Sequence, residues 1–281
     1  MRVYIEIGNI CNLACSFCPQ IARERRQMNL SEFQRVLSEC APIASELYFH
    51  LMGEPLLHPE LDSFLSVAEE YSVPVCITTN GTLLKAKGEI LLRHAHIIKK
   101  VSISLQSYES NKQKEPLCSY VGTCIHFAKV ASELGIYCVF RLWNLSRDDR
   151  IAENTQNEEI LRLLKESYPE PWQGRYSGYR IGKNNFVEKA EIFDWPSEST
   201  AQPSHVGHCH GLLDQIAILA DGRVVPCCLD AEGALTLGNI FENSLKSILN
   251  SERADKMRKG LMRGEFTEEL CRGCTYARRF T

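Results

Sequence analysis

Cys11-Asn12-Leu13-Ala14-Cys15-Ser16-Phe17-Cys18 follows directly on a short apolar, β-rich run, Val3 to Ile7. Two cysteines at C-x-x-C suggest half of a zinc site. Three at these spacings, with no fourth nearby, suggest an iron–sulfur cluster that leaves one iron open to a substrate or cofactor. A strand running into such a loop makes the next question whether more strands end at the same place.

Downstream the chain alternates between short β-rich runs and helical periods. Ser31 is a candidate N-cap, with Phe33, Val36, Leu37 and Cys40 at helical spacing. Glu46 to Leu51 is a strand ending at Gly53-Glu54-Pro55, and Pro59 to Tyr71 a helix. Pro74 to Thr79 is a strand closed by Asn80-Gly81, followed by a helix from Leu84 to His96. Val101 to Gln106 is the next strand, then a helix from Thr123 to Leu134 stopped by Gly135. Ile136 to Leu145 is a strand, Asn157 to Ser167 a helix, and Phe186 to Lys189 a sixth strand. Such alternation is the mark of βαβ units on a parallel sheet. The predicted fold is α/β, a partial (β/α)6 TIM-like barrel.

Pro169 to Gly182 and Pro196 to Pro203 are rich in Pro, Gly and Ser and predict loops. Beyond them the pattern changes. Gln215 to Leu219 and Arg223 to Pro226 flank Asp221-Gly222, a hairpin signal, and Ser244 to Lys259 has amphipathic helical spacing. The expected division is a core at residues 1–193 and a small extension at 194–281. The closing Arg278-Arg279 is expected to be a solvated tail.

The chain has 281 residues, 44% of them apolar, and a formal charge of −3, the profile of an ordinary globular protein. No long basic run points to nucleic acid, no apolar run could span a bilayer, and Met1 to Glu6 lacks the regions of a signal peptide. The expected compartment is the cytoplasm. There, 13 cysteines argue for metal or redox ligands rather than disulfides. Cys40, Cys76, Cys118, Cys124 and Cys138 sit in helix-like or strand-like stretches and are expected to be buried small hydrophobes.

In a parallel barrel the loops after the strands form the active face. The cysteine loop, Gly53-Glu54-Pro55 and Asn80-Gly81 follow strands one to three. Two-residue alternation in strand four puts Ser102, Ser104 and Gln106 on one face, and strand five puts Val139, Arg141 and Trp143 together. Features of five consecutive strands converge at one end.

Cys11, Cys15, Phe17 and Cys18 resemble the C-x-x-x-C-x-aromatic-C signature of the radical S-adenosylmethionine (SAM) superfamily. The resemblance implies a [4Fe–4S] cluster on Cys11, Cys15 and Cys18 whose fourth iron binds S-adenosylmethionine. An electron then splits the sulfonium to a 5′-deoxyadenosyl radical that abstracts hydrogen from a substrate. Leu51-Met52-Gly53-Glu54-Pro55 resembles the family's G-G-E-P segment, with Met52 in place of the first glycine, and implies that Glu54 and the local backbone hold the cofactor's amino group. By the same resemblance Asn80, Ser104 and Arg141 hold its carboxylate and ribose. Arg141 is also open to substrate, the one weak catalytic candidate, or to a surface salt bridge.

Cys209, Cys227 and Cys271-x-x-Cys274, with Asp221-Gly222 and Leu237-Gly238-Asn239-Ile240 between them, resemble the SPASM/twitch extension. This implies an auxiliary [4Fe–4S] cluster on those four cysteines, serving electron transfer from the substrate radical or the fold. On spacing alone a zinc ribbon stays open. Cys228 would point the other way on a strand and is expected to be a bystander. His205, His208 and His210 are expected to be solvated, and His50 and His58 could face substrate. The implied partners are a small-molecule or peptide substrate and an external electron donor such as flavodoxin or ferredoxin. The chain opens on strand one without a peptide-clasping domain, which weighs toward oxidation of a small molecule over modification of a ribosomally made peptide. A non-catalytic iron–sulfur or zinc protein is the alternative of a different class.

Overall fold

The computed structural model describes residues 1–111, 114–145, 155–197 and 203–277. Alternating burial builds the first strand. In β1 (Arg2–Ile5) Val3 and Ile5 are fully buried, while Tyr4 faces the opposite side of the sheet. Helix α1 (Leu30–Cys40) lays Phe33, Val36, Leu37 and Cys40 against that apolar side. Its N-cap is Asn29, not Ser31. Asn29 Oδ1 accepts from Glu32 N, and Glu32 Oε2 accepts from Asn29 N, both at 2.9 Å. This capping box satisfies two helix-end donors reciprocally, which Ser31 could not do.

β2 (Glu46–Phe49), α2 (Leu61–Glu70), β3 (Val75–Thr79), α3 (Leu84–Arg93) and β4 (Ile98–Ser104) continue the pattern. Phe33 stacks on Phe64 at 4.3 Å and meets Phe49 edge-on, locking α1, α2 and β2 together. α4 (Leu117–Glu133) begins six residues before the expected start. In the fold, buried Tyr120 and Val121 anchor that first turn, and Tyr120 Oη donates to Asn80 O at 2.6 Å. Cys118, at the same turn, is exposed rather than buried. β5 (Tyr137–Leu145) and α5 (Thr155–Ser167) follow.

The segment expected as loop from Pro169 to Gly182 instead contains a hairpin, β6 (Gln173–Arg175) and β7 (Gly178–Arg180). Its strands are three residues long and largely exposed, so no alternation of hydrophobicity betrays them. β8 (Asn185–Glu191) is the sixth expected strand, parallel to β5 and antiparallel to β7.

The extension supplies β9 (Gln215–Ile218), β10 (Arg223–Val225), β11 (Gly238–Asn239), α6 (Leu245–Leu249), α7 (Glu252–Met262) and α8 (Glu269–Arg272). The single helix expected over Ser244–Lys259 is two. Ser251 caps the second by accepting from Ala254 N, so Asn250-Ser251 is a break that helical periodicity runs over. Arg278-Arg279 and part of Pro196–Pro203 lie outside the described residues.

All eleven strands form one open sheet ordered β11-β10-β9-β1-β2-β3-β4-β5-β8-β7-β6. β1, β2, β3, β4, β5 and β8 are parallel neighbours in chain order, the expected partial-barrel arrangement. β9 adds parallel to the free edge of β1, so the extension continues the same sheet. A buried pair ties the two ends of the chain. Arg23 grips Glu6 through two contacts of 2.7 and 2.9 Å, and Glu6 also accepts from Ala220 N. The apolar face of the sheet meets the helices. The other face carries Tyr4, Tyr48, Cys76, Thr78, Lys100, Ser102, Arg141 and Glu188, and lines a polar lumen.

Candidate active site

The cysteine loop spans the gap between β1 and α1, and its two ends are clamped. Gly8 pairs with Gln27, Asn9 Oδ1 accepts from Arg26 N, and Asn9 Nδ2 donates to Glu24 O. Within the loop, Ser16 N and Ser16 Oγ both donate to Glu109 Oε1, at 2.7 and 2.8 Å. Glu109 lies in the 3₁₀ turn after β4, Leu105–Ser110. Gln106 belongs to that turn and not to the strand face expected for it. The same turn brings the Ser107 and Ser110 hydroxyls to Cys15. Sharing a proton with Cys18 and meeting these hydroxyls lowers the Cys15 thiol to about 7, and Cys18 is driven up by Cys15, burial and Cys11. The three thiols therefore act on one another, and they are of the donor type that a cluster with three thiolate ligands uses. Phe17 contributes its backbone: Trp195, at the start of the extension, donates Nε1–H to Phe17 O at 2.9 Å.

Gly53 holds the second loop against the first. Its φ is +81°, and a Cβ there would lie 2.4 Å from Gly8 O. The backbone cannot yield by that much, so the cysteine loop and the G-E-P loop meet only where there is no side chain. Gly53→Ala should cost about 2–3 kcal/mol from strain and the forced separation of the two loops. A thermal melt checks this, and an unchanged midpoint would refute it. Pro55 opens a single 3₁₀ turn, Pro55–Leu57.

Glu54 is 4% exposed. Its Oε1 accepts from Thr79 Oγ1 (2.7 Å) and Leu56 N (3.0 Å), and its Oε2 from Asn80 N (2.7 Å). Burial pushes the carboxyl up to about 7, against the pull of these donors. Three of its roughly four acceptor positions are thus taken inside the protein. Asn80 carries the connection onward. Its Nδ2 lies 3.8 Å from Cys11 Sγ and donates to Asn12 Oδ1 at 2.9 Å, while Asn12 Nδ2 donates to Thr82 Oγ1.

Ser104 and Arg141 are register partners on β4 and β5. Arg141 is not on the surface, its side chain being 13% exposed. It lies 4.3 Å from the Trp143 ring centroid, reaches Thr78 Oγ1 at 3.4 Å, and faces Glu188 at 3.7 Å. His50 joins this lumen group through Thr78 at 3.2 Å and edge contacts to Tyr4 and Tyr48. Burial, with Arg141 and Lys100 nearby, pushes His50 down to about 3, so it is neutral. His58 is buried among structural partners, Met28 O and Glu60 N, away from the lumen. Thr79, Glu109, Trp195 and the lumen tyrosines carry no motif. The alternation of β1 and β2 is the one sequence signal that could have exposed Tyr4 and Tyr48.

The second cysteine group converges too. The Cys227 thiol is raised by burial and then by Cys228, Cys209 and Cys271, and Cys271 in turn by burial, Cys209 and Cys274. Leu261, Phe266 and Ala277 pack around Cys209, Cys271 and Cys274. Cys228 packs against the buried cluster of Tyr4, Ala217, Leu219 and Val225 and shares a hydrogen bond with Tyr4. His205, His208 and His210 are exposed. Among the described residues no helix is long and apolar enough to cross a membrane.

Comparison with known proteins assigns both halves. A family model of the Radical SAM superfamily matches residues 5–140, and one of the SPASM iron–sulfur cluster-binding domain matches residues 209–275. The chain is similar to an S-adenosyl-L-methionine-dependent 2-deoxy-scyllo-inosamine dehydrogenase of Niallia circulans, 23% identical over 97% of this chain and 91% of that protein. Among solved structures, BtrN in complex with AdoMet and 2-DOIA aligns with a TM-score of 0.55 at 18% identity, covering 98% of this chain and 92% of that one. Streptococcus suis SuiB bound to S-adenosylmethionine aligns with a TM-score of 0.63 at 18% identity, covering 99% and 73%. The cofactors follow from the two domains: a [4Fe–4S] cluster and S-adenosylmethionine for the first, auxiliary iron–sulfur ligation for the second. The chain is an enzyme of the radical SAM superfamily with a C-terminal SPASM domain.

Proposed function

We propose that the chain oxidises a small molecule by hydrogen abstraction. Cys11, Cys15 and Cys18 would hold the SAM-binding cluster, and Cys209, Cys227, Cys271 and Cys274 an auxiliary one. The observation that carries the reading is the similarity to a SAM-dependent dehydrogenase over 97% of this chain and 91% of that protein, beside the SPASM match at residues 209–275. Bound there, the clusters and S-adenosylmethionine supply reductive sulfonium cleavage, the hydrogen-abstracting radical, and a sink for the electron a substrate radical gives up. Residues 1–193 act as the core and 194–281 as the extension.

The protein's own groups orient and exclude. Glu54, through Asn80 N, fixes the loop on which Asn80 approaches Cys11. Gly53 and Pro55 supply the close backbone edge for the cofactor's amino group, and Phe17 the loop carbonyl that Trp195 pins. Ser104 and Arg141 stand where a carboxylate or ribose could be held. Neutral His50 and the Tyr4–Tyr48 stack, 4.7 Å between centroids, line the substrate side and keep water out. The first electron comes from an external flavodoxin- or ferredoxin-type donor.

Anaerobic reconstitution tests the reading. We expect about eight irons and eight sulfides per chain, as two four-iron clusters require, and 5′-deoxyadenosine formation with dithionite. Cys271→Ala should keep cleavage while losing about half the iron. Zinc at one or two per chain without cleavage would overturn the proposal. A second reading, peptide modification, draws on the fold shared with SuiB. Substrate-dependent release of 5′-deoxyadenosine with small alcohols against peptides separates the two.

A further inference from the structure

The lumen has a second mouth, at the end of the strands opposite the cysteine loop. There a cavity of about 410 Å³ opens between the sheet and the β6–β7 hairpin. Its walls are aromatic: Tyr48 and Tyr137 from β2 and β5, Tyr179 from the hairpin and Phe186 from β8. Size and composition suit a small molecule.

Charge decides what kind. Two carboxylates line the cavity, and both are engaged. Glu46 is held by Lys99 and by Tyr48 Oη at 2.7 Å, and Glu188 faces Arg141. Two cations are not. Lys100 lies 5.5 Å from the Tyr48 ring centroid and Arg175 5.1 Å from that of Phe186; neither is in direct contact with a carboxylate among the described residues, Lys100 acting on Glu46 only at longer range. Deeper on the same face, Ser102 Oγ is buried with no hydrogen-bond partner, a donor still to be used, and Arg141 Nε meets Glu188 only at 3.7 Å. From Cys76, on the cavity wall, β3 reaches Asn80 in four residues, about 13 Å. That strand length is the separation between the cavity and the loop after β3.

We propose that this mouth binds the substrate, and that the substrate is a small molecule carrying a carboxylate or phosphate on a planar ring. The rings stack the flat part, and Lys100 and Arg175 take the anion. Lys100 anchors from the sheet, while Arg175 rides on the hairpin and closes over the bound group. The assignment deepens the small-molecule reading and rests on it. Binding is measured without turnover, so the two can fail separately.

The test is isothermal calorimetry on the reconstituted full chain. Benzoate and phenyl phosphate serve as anionic probes and separate carboxylate from phosphate, with benzyl alcohol and benzylamine as neutral and cationic controls. At least one anion should bind about tenfold more tightly than both controls, and Lys100→Ala or Arg175→Ala should each weaken it about tenfold. Lys256→Ala, a distant surface change, should not. Arg175 is exposed, so its variant keeps the test readable if Lys100→Ala fails to fold. Equal binding of the four probes, binding of none, or unchanged affinity in Arg175→Ala would overturn the assignment. Cleavage of S-adenosylmethionine by the unaltered enzyme judges the radical reading independently.

Discussion

In Cys15→Ala, S-adenosylmethionine cleavage should fall below about a thousandth of the unaltered enzyme, and iron should drop from about eight to about four per chain. Cys15 is the buried member of the three, enclosed by Ser107, Ser110 and the shared proton with Cys18. The loop that carries it is held from outside. Ser16 is fixed to Glu109, the ends are pinned through Gly8 and Asn9, and Trp195 grips Phe17 O. Replacing the thiol by a methyl therefore removes a ligand without releasing the loop. Stability should fall by about 1–3 kcal/mol, because a buried side chain hydrogen-bonded to Cys18, Ser107 and Ser110 is removed. The remaining four irons would be those of the auxiliary cluster proposed for the extension. Iron analysis, 5′-deoxyadenosine measured by chromatography, and a thermal melt read the three consequences together. Full iron with undiminished cleavage would remove Cys15 from the ligand set.

The loops that hold this site were legible because their chemistry is compressed into short stretches. Cys11 to Cys18, Gly53-Glu54-Pro55 and Asn80-Gly81 each lie within eight residues, and strand–helix alternation places them at one end of a sheet. The clamps were not legible. Glu109 reaches Ser16 across 93 residues of chain and Trp195 reaches Phe17 across 178, and neither belongs to a local pattern. The hairpin over the second mouth was missed for another reason. β6 and β7 are short and exposed, and are held by backbone pairing to β8, which leaves no mark on side-chain hydrophobicity. Arg141 shows the limit of residue type as a guide. An arginine on a strand is ordinarily a surface residue, and only the parallel register that sets it beside Ser104 and Glu188 buries it in the lumen.

Glu54→Ala should lower the melting midpoint by about 10 °C and weaken S-adenosylmethionine binding about tenfold. The carboxylate accepts from Thr79 Oγ1, Leu56 N and Asn80 N in a site 4% exposed, and each donor left buried and unpaired costs about 1–3 kcal/mol. A total of about 3–5 kcal/mol corresponds to that midpoint shift for a chain of this size. Binding suffers because Asn80 loses the contact that sets its approach to Cys11 and Asn12. Glu54→Gln separates charge from shape. Its amide keeps one acceptor and turns an N–H toward the Leu56 or Asn80 N–H, so it should cost less, about 1–3 kcal/mol. pH distinguishes the two variants further. The Glu54 carboxyl is raised from 4.5 to about 7, so the folded state holds its proton more tightly than the unfolded chain does. That contribution is complete below about pH 4.5 and is lost as pH rises through 7, up to about 3 kcal/mol in all. Glutamine does not titrate. The stability gap between the unaltered enzyme and Glu54→Gln should therefore narrow between pH 5 and pH 8. A gap that stayed constant over that range would mean that the three donors outweigh burial and that Glu54 is ionised throughout. In that state the carboxylate would already be matched to the ammonium of S-adenosylmethionine, and Glu54→Gln would lose affinity as severely as Glu54→Ala.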